Sequence, residues 1–547
     1  MLDMKLLRDR TEFVRERLAT RNAGDEARLS EVLALDEARR AALAEAEQLK
    51  ARRNSASKEI GGLIGQKRLD EAETKKAEVR VLGDRITELD KSAAEAEAAR
   101  DALLLMIPNL PHTSVALGKD ATDNPEIRVH GQKASFEFKA LNHVELCERL
   151  KLIDFARGAK LSGSGFLLYT GWGARLERAL INFLLDLHQR EHGYTEVAPP
   201  YIVGEHCMVG VGQFPKFRDQ AYAVQEGLDT STMGKLYLLP TAEAPVANIH
   251  REEILAEKQL PVRYCAYSPC FRAEAGAAGL GTRGMIRVHQ FDKVELIKVV
   301  HPDQGYEELE KMVLNAETVL QRLGLHYRVI NLCTGDMGFA SAKTYDIEVW
   351  APGQGTYLEV SSCSNCEDYQ SRRMNLRFKR ESDGQNLFPH LLNGSGTALA
   401  RLFVALVETH QQADGSVRIP EPLRPYLGTD VIPAPTQPAK LAQSTESAEA
   451  SNPKVSSKRP ARCRGTPLLL CIRSIETANP ALGSGGLLNT FGHPGLRPRQ
   501  SSLEYLWFQP WFGHPDQRAR RKYCLWPSAD RLRPASCHGG GSAATGA

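Results

Sequence analysis

The stretch that decides the fold runs from Cys270 to Glu295 and reads CFRAEAGAAGLGTRGMIRVHQFDKVE. It lies within two β-rich runs, VRYCAYSPCFRAEA and GMIRVHQFDKVELIKVV, which span Val262 to Val300 and enclose a glycine-rich loop. Aromatic and β-branched residues favour strands, and a glycine-containing connection between two such runs favours a hairpin. We therefore predict two antiparallel strands joined by a mobile loop that contains Gly279-Leu280-Gly281.

The charged residues of this hairpin are spaced to meet an anionic substrate. Arg272 and Glu274 share one face of the first strand, and Arg287 and Phe291 share a face of the second, because side chains alternate along a strand. When an enzyme activates a carboxylate with ATP, two anionic groups approach each other and charge builds on the departing pyrophosphate. Fixed arginines and Mg²⁺ oppose that charge without a protein nucleophile. A Phe-Arg-x-Glu quartet alone would more often belong to a surface hairpin with ordinary ion pairs. The full stretch from Cys270 to Glu295 favours an ATP-binding site instead.

The segments around the hairpin predict an α+β fold. Arg175 to His188 has helical periodicity, whereas Tyr345 to Val360 reads as two strands around a Pro-Gly-Gln-Gly turn. Gly394 to His410 reads as an amphipathic helix that opens on glycines. Strands and helices do not alternate as in a doubly wound nucleotide-binding fold, and the sequence has no Walker-type Gly-x-x-x-x-Gly-Lys. We expect a mostly antiparallel sheet with flanking helices.

Residues from about 28 to 105 predict a different architecture. They are rich in Ala, Glu, Lys, Arg and Leu and contain no proline, which is typical of long helices. Apolar residues recur at heptad spacing, as in Val79, Leu82, Ile86 and Leu89, and the glycines between 61 and 65 interrupt the run. We predict an antiparallel coiled-coil hairpin, roughly 50 Å long at ~1.5 Å per residue. By itself such a hairpin is more often a dimerisation or scaffold element.

Taken together, these motifs resemble those of a known enzyme family. Phe-Arg-x-Glu followed by Arg-x-x-x-Phe resembles motif 2 of the class II aminoacyl-tRNA synthetases, and Gly394 to Arg401 resembles motif 3. Pro200 lies where motif 1 has its proline. Thr241-Ala242-Glu243 and the strings TGDMGFASAKTYDIEVW and EVSSCSNCEDYQSRRMN are similar to the bacterial seryl-tRNA synthetase family. The resemblance covers roughly residues 1 to 432.

The resemblance implies a role for each site residue. The set implied for ATP is Arg272, Ala273, Glu274, Arg287, Val288, Phe291, Glu359, Val360, Ser361, Ser362 and Arg401. The set implied for serine is Thr241, Glu243, Arg272, Glu295 and Ser395. Arg272, Glu359 and Arg401 would act in catalysis, and Glu359 and Ser362 would hold Mg²⁺ through ATP. Each carboxylate, taken singly, would more often form a structural ion pair.

The implied reaction forms seryl-adenylate from serine and ATP and then transfers the seryl group to tRNA(Ser), and to tRNA(Sec). Residues 1–112 would bind tRNA through the coiled coil, residues 113–432 would be catalytic, and the Pro200 region would form a homodimer. Two alternatives stay open: a synthetase-like ligase that loads an amino acid onto a carrier protein, and a non-catalytic coiled-coil scaffold. The basic hairpin favours tRNA over a carrier protein, and the retained arginines and carboxylates disfavour the scaffold.

Charge and cysteine content narrow the class of protein further. Residues 433–547 hold 15 Lys/Arg against 6 Asp/Glu, so the excess positive charge of the chain lies in this tail and says nothing about RNA binding. We predict that the tail is disordered or non-native, with an appended aromatic-basic binding module as the alternative.

Cys363 and Cys366 form a lone CxxC, so we expect no zinc. No signal peptide or membrane span is apparent, which predicts a cytoplasmic protein.

One residue departs from the family pattern. Gly165, in GSGFLLYTG, stands where a larger polar or basic residue is expected. His289 lies within the second predicted strand, where a structural role is more common than a catalytic one.

Overall fold

The computed structural model describes residues 1–224, 234–275 and 284–435, which belong to one unit of the chain, Met1–Ser444. The predicted mobile loop around Gly279-Leu280-Gly281 and nearly all of the predicted tail lie outside the described residues.

The N-terminal part is helical. Its helices are α1 (Met4–Asp9), α2 (Thr11–Ala19), α3 (Leu29–Gly65) and α4 (Leu69–Leu104). Helices α3 and α4 form the predicted antiparallel hairpin, and small and branched side chains such as Ala46, Ile86 and Ala93 are buried along their seam. The helix α3 continues through Gly61 and Gly62 and ends only at Gly65, so the first glycine pair does not break it.

The root of the hairpin is tied to the rest of the chain by packing and by charge. Leu7, Val14, Leu29 and Leu104 form a buried cluster that also includes Tyr369, far along the sequence. The Asp36 carboxylate, 2% exposed, accepts hydrogen bonds from three guanidinium groups, those of Arg8, Arg40 and Arg100. Arg100, which interrupts the apolar repeat of α4, is thus the buried partner of Asp36.

The remaining described residues form the α+β part. Its helices are α5 (His143–Leu150), α6 (Phe155–Ser162), α7 (Gly171–Arg190), α8 (Glu205–Gly210), α9 (Glu243–Ala247), α10 (Gly305–Arg322), α11 (Tyr369–Met374), α12 (Leu399–Thr409) and α13 (Arg424–Leu427). Short 3₁₀ turns occupy Asp25–Arg28, Ala121–Asp123, Arg218–Gln220, Glu257–Gln259, Pro302–Gln304 and Glu421–Leu423.

The strands are β1 (Glu126–His130), β2 (Thr195–Glu196), β3 (Ile202–Gly204), β4 (Leu236–Leu238), β5 (Ile254–Ala256), β6 (Val262–Phe271), β7 (Gln290–Val300), β8 (Tyr327–Asn331), β9 (Lys343–Ala351), β10 (Thr356–Asn365), β11 (Arg377–Lys379), β12 (Asn386–Leu387), β13 (His390–Ala398), β14 (Val417–Arg418) and β15 (Val431–Ile432). Eight of them form one sheet in the order β1-β8-β9-β10-β13-β7-β6-β2. Neighbours are antiparallel except β2 and β6, so the predicted mostly antiparallel sheet is confirmed. Helices α7, α10 and α12 pack on this sheet around the largest apolar core.

Two local predictions were wrong in their element assignment. Gly394, Ser395 and Gly396 lie inside strand β13, and the helix that follows begins at Leu399, so Arg401 is in its first turn. Strand β6 ends one residue before Arg272, although the Arg272 amide still donates to the His289 carbonyl at 2.9 Å. The charged ends of the hairpin therefore lie just beyond the strands, where side chains can surround a ligand instead of packing on a sheet face.

Candidate active site

The predicted site residues surround one cavity of about 630 Å³. All of them contribute to its wall except Ala273, Glu295 and Ser361. The cavity lies over β7, β10 and β13, and residues from the described ends of the β6–β7 connection and from α12 also line it. Sequence positions more than 150 residues apart, such as Thr241 and Arg401, thus meet at one place.

A β-bulge in β10 aims two side chains into this cavity. Glu359 pairs with Glu348 of β9, but Ser361 pairs with Ile347, so Val360 is the extra residue. In a regular strand, residues three apart point to opposite faces; the extra residue brings Glu359 and Ser362 to the same face.

A second bulge lies in β13. Ser395 pairs with Glu295 of β7 and Thr397 pairs with Val294, which leaves Gly396 as the extra residue. Ser395 lines the cavity, whereas Thr397, two residues on, is fully buried away from it. The glycine has a packing reason too, because a Cβ at Gly396 would lie 2.7 Å from the His188 imidazole.

A buried polar cluster closes the inner end of the cavity. The Thr241 hydroxyl donates to the Glu295 carboxylate at 2.6 Å and accepts from the Lys293 ammonium at 3.0 Å. Lys293 and Glu295 also form a buried ion pair. Sequence reasoning missed Lys293, although strand alternation places it on the same face as Phe291 and Glu295.

Glu243 is the acid of this cluster with the clearest perturbation. Its carboxylate accepts from the Gln370 amide at 2.7 Å. Burial, and secondarily the negative charge of Glu295, raise the pKa of Glu243 to about 7. The cluster thus contains two carboxylates, Glu243 and Glu295, and one ammonium, Lys293. A substrate ammonium would balance the second carboxylate.

The outer part of the cavity is rich in arginine. The Arg272 guanidinium lies 5.1 Å from the centre of the Phe291 ring, and its Nε donates to the Pro240 carbonyl at 3.4 Å. Arg287 donates to the Glu274 carboxylate at 2.8 Å. These three charged side chains and one aromatic ring form an assembly suited to a nucleotide, with cations for phosphates and a flat apolar surface for a base.

Arg401 joins the two halves of the outer cavity. Its Nε donates to the Ile286 carbonyl at 3.1 Å and its Nη1 donates to the Glu359 carbonyl at 2.9 Å. It also lies 3.5 Å from the Glu359 carboxylate. The first turn of α12 thus fixes a guanidinium between the strand that carries Glu359 and the segment before β7.

The residues predicted to hold Mg²⁺ fit an oxygen-seeking cation in part. Asp346 lies opposite Ser362 in the β9–β10 register, and one of its carboxylate oxygens is buried without a hydrogen-bond partner. Burial and the nearby Glu359 raise the pKa of Asp346 well above its usual range. A divalent cation would relieve this accumulation of negative charge. No set of three or more His, Cys, Asp and Glu side chains in the described ranges surrounds a common metal position, so ATP oxygens would have to complete the coordination.

The other chemical groups singled out in the sequence are engaged structurally. Cys363 and Cys366 are buried free thiols, and burial raises the pKa of Cys363 to about 12. The His289 ring donates to the Arg272 carbonyl at 3.0 Å. Gly165 has φ +83°, its carbonyl accepts from the His289 amide, and a Cβ there would lie 2.6 Å from the His289 ring. In this backbone conformation a side chain at 165 would be strained.

Comparisons with known proteins agree with this geometry. Residues 1–111 match the family model for the seryl-tRNA synthetase N-terminal domain, and residues 222–410 match that for the tRNA synthetase class II core domain (G, H, P, S and T). The chain is 54% identical to the serine–tRNA ligase of Akkermansia muciniphila over 432 residues, which are 79% of this chain and 99% of that protein. The chain belongs to the seryl-tRNA synthetase family.

Other members of the family extend this result. The serine–tRNA ligase of Geobacillus kaustophilus is 53% identical over 433 residues, 79% of this chain and all of that protein. The crystal structure of seryl-tRNA synthetase from Pyrococcus horikoshii complexed with ATP superposes with a TM-score of 0.74 at 41% identity, over 79% of this chain and 99% of that one. The family resemblance, the class II fold with its helical hairpin and the enzyme class, an ATP-dependent aminoacyl-tRNA ligase, are confirmed. The part of the chain that the structure describes has no helix with the length and apolarity to span a bilayer.

Proposed function

We propose that the protein is an ATP-dependent serine–tRNA ligase that uses the cavity over β7, β10 and β13 for both steps of the reaction. The single observation that carries this proposal is the joining, in one cavity, of an arginine-rich outer part with a buried acidic cluster around Thr241 and Glu295. The outer part suits a triphosphate, and the inner part suits a small amino acid with an ammonium and a hydroxyl.

The inner cluster binds serine. Glu243, which lines the cavity, faces the ammonium, and the buried Glu295 adds negative charge behind Thr241. The Thr241 hydroxyl and Ser395 provide polar partners for the small substrate. A site built to hydrogen-bond a hydroxyl rejects alanine, because alanine would leave buried polar groups unpaired. Lys293 balances Glu295 in the absence of substrate, since the two form a buried ion pair.

The outer cavity binds ATP. Phe291 carries the adenine ring, Glu274 and the backbone around Ala273 and Val288 contact the nucleotide, and Arg287 meets the outer phosphates. Val360 and Ser361 shape the strand beneath the nucleotide, since Val360 is the bulge residue and the Ser361 hydroxyl donates to the Ser395 carbonyl.

Two arginines oppose the charge of the transition state. Arg272 stands between the inner and outer parts, so its guanidinium can hold the serine carboxylate and the α-phosphate together. Arg401 meets the departing pyrophosphate. Glu359 and Ser362 would hold Mg²⁺ through ATP, and the ion would supply further positive charge to the phosphates.

The N-terminal hairpin binds tRNA(Ser), and tRNA(Sec), mainly through their phosphates. Its outer half exposes many Lys and Arg side chains, although several are paired with acids of the neighbouring helix, as Lys75 is with Glu59. In this proposal residues 1–112 form the tRNA-binding domain and residues 113–432 the catalytic domain.

The proposed assembly is a cytoplasmic homodimer formed through the Pro200 region. Tyr201 and Ile202, which follow this proline, are 39% and 46% exposed. An exposed apolar pair beside a proline is a suitable part of a subunit interface.

Deleting residues 33–96 and joining the ends with a short linker separates the two steps. We expect serine-dependent ATP–pyrophosphate exchange to persist while charging of a long-arm tRNA is lost, because the cavity lies outside the deleted helices. Loss of exchange in the deleted protein would contradict this division. If the full-length chain exchanges with serine but charges no tRNA, the carrier-protein ligase is favoured, and absence of exchange favours the scaffold.

A further inference from the structure

Two residues of the N-terminal segment hydrogen-bond five consecutive backbone carbonyls, four of which belong to residues that line the cavity. The loop 337–341 follows β8, and its residues 338–341 line the cavity. The Arg21 guanidinium donates to the carbonyls at positions 337, 338 and 341, at 3.2, 3.2 and 2.7 Å. Asn109 donates to the other two carbonyls: its backbone N–H donates to position 339 at 2.9 Å, and its side-chain amide donates to position 340 at 3.0 Å.

These two residues also hold each other. Arg21 Nε donates to the Asn109 carbonyl at 2.8 Å, and the Asn109 side chain donates a second bond to the Cys366 carbonyl at 2.9 Å. Arg21 is 7% exposed and Asn109 is 4% exposed. Burying a guanidinium is costly unless its N–H donors are hydrogen-bonded. The carbonyls of the loop provide most of the acceptors for Arg21, so the guanidinium and the loop stabilise each other.

The loop leads to the serine end of the cavity. A Cβ at Gly212 would lie 3.3 Å from the Ala340 side chain, so the loop packs directly on the backbone around Gly212. The preceding residue, Val211, accepts at its carbonyl from the Gln370 side chain, which also donates to Glu243. A shift of the loop therefore reaches the carboxylate proposed to face the substrate ammonium.

We propose that Arg21 and Asn109 are positioning residues for serine activation, so that the N-terminal segment builds part of the amino-acid site as well as carrying the tRNA-binding hairpin. This inference rests on the proposed function of the cavity. Neither residue touches the substrates. They act by fixing the five carbonyls of the loop 337–341, and a displacement of about 1 Å at a reacting site can cost on the order of a hundredfold in rate.

The test compares Arg21→Met and Arg21→Lys with Arg17→Met. Arg17 is a matched control, because its guanidinium also bridges to the segment after α4 but donates to the Pro111 and His112 carbonyls and to none of the loop. Pyrophosphate exchange is measured with serine and ATP varied in turn, and thermal unfolding is recorded for each variant. The full-length chain is used throughout.

We expect Arg21→Met to raise the KM for serine at least about tenfold, with the KM for ATP changed less than about twofold, in keeping with a tenfold change per 1.4 kcal/mol. Arg21→Lys keeps a charge and some donors but loses the planar fork, so it should give an intermediate rise and serves if the methionine variant does not fold. Arg17→Met should leave both KM values unchanged.

An unchanged serine KM in a folded Arg21→Lys variant would overturn the inference, as would equal rises for serine and ATP, which indicate a general structural loss. A full-length wild-type chain without serine-dependent exchange would instead overturn the proposed function on which the inference rests.

Discussion

Thr241→Val is the substitution that tests the inner cluster most sharply. Valine has nearly the shape of threonine but cannot hydrogen-bond. The Thr241 hydroxyl takes part in three bonds: it donates to Glu295 at 2.6 Å and accepts from Lys293 at 3.0 Å and from the Glu243 amide at 3.1 Å. Two of these partners are charged and buried, and a hydrogen bond to a charged group contributes about 1.5–3 kcal/mol.

We therefore expect the free energy of unfolding to fall by about 2–3 kcal/mol, measured by urea denaturation. For serine activation we expect kcat/KM to fall by about 10–100-fold, since 1.4 kcal/mol corresponds to a factor of ten. The KM for ATP should stay within about twofold, because Thr241 lies at the inner end of the cavity, away from the arginines. Pyrophosphate exchange with each substrate varied in turn gives these constants.

Thr397→Val is the matched control. Thr397 is fully buried in β13, and within the described part of the chain its hydroxyl has no hydrogen-bond partner. Removing an unpartnered buried hydroxyl is expected to be neutral or stabilising. Equal losses of serine activation in the two variants, or an unimpaired Thr241→Val enzyme, would refute the assignment of Thr241 to the serine site.

Three further outcomes are expected. The KM for serine should fall as pH rises through about 7, because burial and Glu295 raise the pKa of Glu243 to about 7 and only the ionised carboxylate attracts the ammonium; Glu243→Gln should flatten this profile. Asp36→Ala should lower the free energy of unfolding by about 1.5–3 kcal/mol, because it removes a buried carboxylate that accepts hydrogen bonds from the buried Arg100 and from two more exposed arginines, whereas Asp90→Ala, which breaks an exposed pair with Lys50, should cost under about 1 kcal/mol by urea denaturation. Removing residues 433–547 should change neither exchange nor charging, and a large loss in either assay would favour the appended binding module.

The elements with strong periodicity were predictable from the sequence. The coiled coil follows from its heptads, and strands β6, β7, β9 and β10 follow from β-rich runs bounded by glycine-containing turns. The sequence patterns also placed Arg272, Glu274, Arg287 and Phe291 near one another, because a hairpin brings the end of its first strand beside the start of its second. These features depend on residues close in the chain, where local propensity and pairing agree.

The parts that could not be predicted depend on long-range pairing. The bulges at Val360 and Gly396 change which side chains face the cavity, and each is defined by a partner strand that a single segment does not reveal. Gly394 to Ala398 reads as a helix start by composition, yet sheet pairing with β7 holds it as a strand. The contact of Arg21 with the loop 337–341 joins positions more than 300 residues apart and has no signature in the sequence.

The measurement that tests the central claim most directly is ATP–pyrophosphate exchange with the full-length chain and each of the twenty amino acids supplied singly. We expect serine to support rapid exchange, with alanine and threonine far below it, because alanine lacks the hydroxyl that the buried cluster satisfies and threonine adds a methyl group to a small site. Exchange that is absent with serine, or that is driven best by a different amino acid, would contradict the account.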